Sequence, residues 1–136
     1  MDRNELILRT RKFGSAIIIF TDNIPYKRSV DVVCRQLIRS ATSVGANYRS
    51  ACRAKSMPDF ICKLKIAEEE ADETIHWLQL LVDSNLIEES KISHLINEAN
   101  ELTAIMTASG KTAKSNLCMR EQSKIQNSRS KIKVSK

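Results

Sequence analysis

At 136 residues the chain is long enough for one hydrophobic core, and its 3 Gly, 2 Pro and 4% aromatic residues favour long helices joined by few turns. The formal charge of +6 is unevenly placed: residues 1–116 hold 16 Lys and Arg against 15 Asp and Glu, and the last twenty hold 6 against 1. No apolar run approaches the roughly 18 residues of a membrane span, and the best, Ala16 to Phe20, follows charged residues, so neither a membrane span nor a signal peptide is expected.

The first predicted helix covers about 3–20. Leu6, Phe13, Ile17 and Phe20 share one face at intervals of seven, four and three, while Ile7, Ile18 and Ile19 lie off it. The second half is therefore apolar nearly all round, which implies cover on more than one side. Thr21 to Pro25 ends the helix.

The second helix is predicted over about 29–54, with Ser29 as its N-cap. Val30, Val33, Leu37, Ala41, Val44, Tyr48 and Ala51 form its core stripe. Arg28, Arg35, Arg39 and Arg53 cluster almost opposite, with Arg49 at the edge. Between them the run from Arg39 to Ser56 is built of small residues, among them Ser40, Thr42, Ser43, Gly45, Ala46 and Ser50. Gly in a helix interior costs about 1 kcal/mol against Ala, so its use here is close approach by another helix, another subunit or a ligand. Asn47, at the edge of the stripe, reads as bonding across to a neighbouring helix, with ligand contact as the alternative.

Ser56, Pro58 and Asp59 form a helix-start signature, so the third helix is predicted over about 58–82. Phe60, Leu64, Ala67, Ala71, Thr74, Leu78 and Leu81 make its stripe. Cys62, Ile66, Trp77 and Leu80 form a second apolar strip; with Ala46 they are the expected oligomer interface. After the short turn Asp83-Ser84-Asn85, the fourth helix is predicted over about 88–113, carrying Ile92, Leu95, Ala99, Leu102, Met106 and Ala113. Residues 117–136 lack periodicity and are expected to be a disordered basic tail, leaving 1–116 as the folded domain. Four amphipathic helices with short turns predict an all-α, up-and-down antiparallel four-helix bundle.

The chemistry is sparse. Cys34, Cys52, Cys62 and Cys118 show no CxxC pairing and no His at ligand spacing, so buried free thiols in a reducing cytoplasm are expected. Glu73 and His76 have the Glu-x-x-His spacing of carboxylate-bridged metal bundles but face away from the core stripe, and His94 lacks a Glu three residues earlier. No metal site, cofactor or catalytic arrangement is expected, and the chain is not expected to be an enzyme. The arginine stripe fits phosphate neutralisation. It equally fits ion pairing, since 27–55 holds seven basic residues and one acid whereas 59–83 holds seven acids and two lysines.

The stretch QLIRSATSVGANYRSACRAKSMPDFICKLKIAEEEADETIHWLQLL, Gln36 to Leu81, closely resembles bacterial four-helix-bundle proteins encoded in intervening sequences of 23S ribosomal RNA genes. The same superfamily includes the accessory variability protein of diversity-generating retroelements. The likeness covers roughly residues 5–115 and is strongest at Ser43 to Asn47, Asp59-Phe60 and Glu68 to Ala71. Many members carry an acidic residue and a Gly where this chain has Ser50 and Ala51.

The resemblance implies a ring-like homopentamer with a basic, nucleic-acid-binding surface. Two functions follow as expectations. One is a non-catalytic, homo-oligomeric scaffold that binds RNA or DNA through Arg28, Arg35, Arg39, Arg49, Arg53 and the basic tail. The other is a protein-interaction adaptor that docks an enzyme such as a retroelement reverse transcriptase.

Overall fold

In a computed structural model describing residues 1–134, four long helices carry most of the chain: α1 (Arg3–Asp22), α2 (Arg28–Cys52), α3 (Met57–Asp83) and α4 (Ser93–Val134). A short 3-10 turn, Glu89–Lys91, precedes α4, and the described residues contain no strand.

The helix ends follow from local chemistry. The Asp2 carboxylate accepts the Glu5 N–H at 2.8 Å and the Glu5 carboxylate accepts the Asp2 N–H at 2.8 Å, a reciprocal cap for α1. Ser56 Oγ accepts the Asp59 N–H at 3.2 Å at the head of α3. Ser29 does not cap α2. That helix starts one residue earlier, behind Lys27, whose side chain makes no capping bond, and Asp31 supplies negative charge to its first turn. At the end of α3, Asn85 takes φ 57°, so the Leu86 N–H reaches the Leu81 carbonyl and the Asn85 N–H reaches that of Val82, both at 3.0 Å. Asn tolerates this left-handed position better than most residues, and it turns the chain back toward α4.

Consecutive helices are antiparallel. α2 packs against α1 and α3, α3 against α4, and α4 closes more lightly on α1. The predicted stripes meet in one core. Leu6, Phe13 and Ile17 bury beside Leu37, Ala41, Val44, Leu64, Leu78, Leu81, Leu102 and Met106. Phe20, Val33 and Phe60 sit half-buried at its margin. One polar link crosses this core: Ser40 and Thr74 share a buried hydroxyl–hydroxyl bond of 2.9 Å, while Thr74 also donates to the Glu70 carbonyl. That bond fixes the register of α2 against α3.

The close approach expected along the small-residue run is made by α1. A β-carbon at Gly14 would lie 3.5 Å from Thr42 Cα, and one at Gly45 would lie 3.3 Å from the Thr10 carbonyl carbon. Ala46, one residue on, is exposed.

The tail departs from expectation. Residues 117–134 continue α4 without a break, and only residues 135–136 of the expected disordered segment lie outside the described residues. No Gly or Pro interrupts the chain after Gly110, and Lys, Arg, Glu, Gln and Met are good helix formers. The missing periodicity appears instead as exposure. From Lys114 to Ile132 every side chain is exposed except the half-buried Leu117.

Candidate nucleic-acid interface

The five stripe arginines occupy three different situations. Arg39, near the middle of α2, is drawn onto α3, where it donates to Glu70 at 3.2 Å and also to Glu73. The hydrogen bond to Glu73 holds its guanidinium above its ordinary pKa. Glu70 is pushed up by burial, which outweighs the opposing pull of Arg39. The basic face of α2 therefore pairs with acidic α3 inside one chain at this point. Arg35 bonds Asp31 one turn back at 3.2 Å, in a well-exposed pair of the kind that adds little stability. Arg28, Arg49 and Arg53 have no ion-pair partner among the described residues.

Those three are not neighbours. Arg28 begins α2 and Arg49 lies in its last turn, about 30 Å away along the helix axis. The start of α2 shares its end of the molecule with Asp22, Asp31, Asp83, Glu88 and Glu89, so the field there is mixed. The other end is different. Because α2 and α3 form an antiparallel hairpin, Arg49, Arg53, Lys55 and Lys63 converge on one hollow of about 410 Å³, with Asp59 as the acid on its wall. None of the four cations has an ion-pair partner among the described residues.

Two further basic features join this end. Arg3, at the head of α1, places its guanidinium carbon 5.7 Å from the centre of the Phe60 ring. The exposed extension of α4 leaves the bundle here and carries Arg120, Lys124, Arg129 and Lys131 against Glu121. The helical stripe alone did not point to Arg3, Lys55 or Lys63, because they come from other segments. The flanking of the α2–α3 turn by Arg53, Lys55 and Lys63 was the available signal.

Arg9 was also missed. It bridges α1 to α4, donating from Nε to both Glu98 oxygens at 3.1 Å and from its terminal nitrogen to Glu98 and Glu101. The Glu98 bond holds its guanidinium above the ordinary value despite partial desolvation. Its role is structural.

The expected interface residues divide. Ala46, Cys62 and Ile66 are exposed, whereas Trp77 and Leu80 are half-buried. Trp77 packs on the bundle's own core, edge-on to His76, and its Nε1 is enclosed without a hydrogen-bond partner among the described residues. Further exposed apolar side chains appear on α1, at Leu8, Ile18 and Ile19.

Two smaller readings need correction. Asn47 does not bond across to another helix: its amide donates to the Ser43 carbonyl of its own helix at 2.9 Å. Nor are the thiols uniformly buried. Cys34 is buried and Cys52 half-buried, but Cys62 and Cys118 are exposed because the Cys62 and Ile66 part of α3's second strip and the α4 extension are uncovered in the single chain. Among the described residues no group of His, Cys, Asp or Glu is placed to hold a metal ion, and no helix is long and apolar enough to cross a membrane.

A model of the family described as 23S rRNA-intervening sequence protein matches residues 3–108. Among solved structures, the chain is similar to a protein of unknown function from the S23 ribosomal protein family of Bacteroides thetaiotaomicron VPI-5482. That likeness has a TM-score of 0.76 and 32% sequence identity, and it covers 82% of this chain and 99% of that one. The comparison with curated proteins finds no match.

Proposed function

Because the chain belongs to the family of 23S rRNA-intervening sequence proteins, we propose that it is a non-catalytic, homo-oligomeric scaffold that binds RNA through the basic end of its bundle. The observation that carries this reading is the hollow where Arg49, Arg53, Lys55 and Lys63 converge without ion-pair partners among the described residues. Lys and Arg held in such a cluster displace condensed counterions when phosphates bind, which yields affinity without sequence preference. Arg39 is assigned a structural part, since its charge is already satisfied by α3. The α4 extension adds a second basic surface beside the hollow.

Self-association is supported by Leu8, Ile18 and Ile19 on α1 and by Ile66 on α3, all exposed in the single chain. A pentameric ring is the assembly proposed. The same apolar side chains also support the adaptor reading, in which they dock a protein such as a reverse transcriptase. Light scattering separates the two readings: a multiple of 15.4 kDa at micromolar concentration supports self-association, and a monomer supports the adaptor.

Fluorescence anisotropy with a short labelled RNA tests the binding itself. Affinity should fall steeply as salt rises. No detectable binding at low salt would sink the proposal.

A further inference from the structure

Resting on the RNA-binding reading, we propose that the cavity between the start of α3 and α4 receives an unpaired base of single-stranded RNA, while the strand's backbone lies in the adjoining basic hollow.

The cavity has a volume of about 570 Å³ and is bordered by Arg3, Lys55, Phe60, Ala108, Ser109 and Thr112. That size is within the range of small-molecule pockets, roughly 300–1,000 Å³, and accommodates a nucleoside. Three features suit a base. Phe60 supplies a half-buried aromatic ring with the Arg3 guanidinium over it, so an entering base stacks on that flat cation or takes its place on the ring. The α4 wall consists of Ala108, Ser109, Thr112 and Ala113, whose short side chains leave room in the cavity beside Phe60. Ser109, Thr112 and Asn116 offer hydrogen-bonding groups for a base edge.

The cavity is tied to the phosphate site by a shared residue. Lys55 borders both it and the hollow formed with Arg49, Arg53 and Lys63. A strand whose phosphates occupy the hollow has a base within reach of Phe60. A duplex satisfies the hollow equally well, because charge is all that is read there. It does not satisfy the cavity, since its bases are paired and stacked within the helix and unavailable to an aromatic platform.

The test compares one labelled RNA strand with its matched duplex, using the full chain, at several salt concentrations. The single strand should bind more tightly, and Phe60→Leu should weaken it by roughly tenfold while leaving the duplex unchanged, the size expected for loss of one base–aromatic stack. Phe60 also touches the core, so Thr112→Leu, an exposed position that fills the cavity, should reproduce the effect without altering the melting temperature. A 2-aminopurine in the strand should be quenched on binding to the native protein and much less on binding to either variant. Equal affinities for strand and duplex, with both variants silent, would overturn the base site and leave RNA binding standing. Failure to bind either RNA would overturn both. If polyglutamate binds as tightly as the strand and responds to the same variants, the site recognises acidic protein and the base assignment is wrong.

Discussion

Gly45 of α2 lies so close to Thr10 of α1 that a β-carbon on it would sit 3.3 Å from both the Thr10 carbonyl carbon and its Oγ1. The obstruction is largely backbone, so relief requires α1 to move. Gly14, on the facing helix, is placed differently: its β-carbon would find ordinary contact at 3.5 Å with Thr42. Replacing a helical Gly by Ala is worth about 1 kcal/mol in propensity alone. Gly14→Ala should therefore raise the melting temperature. Gly45→Ala should lower it, since overpacking costs roughly 1–3 kcal/mol and outweighs that gain. Thermal unfolding followed by circular dichroism decides; a Gly45→Ala protein as stable as Gly14→Ala would show that the helix pair is slack there.

Tyr48 gives the bundle an alkaline limit. Burial, reinforced by the neighbouring Cys52 thiol, pushes the phenol up to about 12 from 10.0. Below the lower value both folded and unfolded chains keep the proton, and this contribution is complete. Between the two values the unfolded chain releases the proton and the folded chain retains it, so stability falls as pH rises. Urea midpoints measured across that window should decline more steeply for the native protein than for Tyr48→Phe. Parallel declines would remove Tyr48 as a cause.

Arg9 ties α1 to α4 through Glu98 and Glu101, across the helix pair with the lighter packing. Arg9→Gln should cost about 1 kcal/mol at low ionic strength, because the pair is partly exposed and its partners then repel each other. The loss should shrink in high salt as screening takes effect. A loss that is the same at both ionic strengths would mean that packing of the arginine stem, and not charge, was removed.

The core was legible from spacing because burial imposes the helical period: Ile92, Leu95, Ala99, Leu102, Met106 and Ala113 were all expected on one face and are all buried. The α4 extension was not legible by the same route. Periodicity reports which face is covered, and a helix covered on no face shows none, as Arg120 to Ile132 demonstrate. The opposition of basic α2 and acidic α3 foreshadowed the Arg39 pairing with Glu70 and Glu73. Which arginines remained unpaired depended on the register between the helices, set by bonds such as that of Ser40 with Thr74. A single helical wheel does not contain that information. It also does not bring Lys63 of α3 beside Arg53, just past the end of α2, which requires the turn between them.

The most direct test of the account compares the two ends of the bundle in one experiment. Binding of a single-stranded RNA is measured against salt for Arg49→Ala/Arg53→Ala/Lys63→Ala and for Arg28→Ala/Arg35→Ala, with oligomer mass recorded beside each. Each phosphate that is no longer neutralised lowers the slope of log K against log salt by about 0.7 on single strands, so the triple variant should lose about two units. The double variant should keep the native slope, because Arg35 is already paired and Arg28 stands at the mixed end. Equal slopes for both variants, or a loss confined to Arg28 and Arg35, would contradict the assignment of RNA binding to the end where α2 passes into α3.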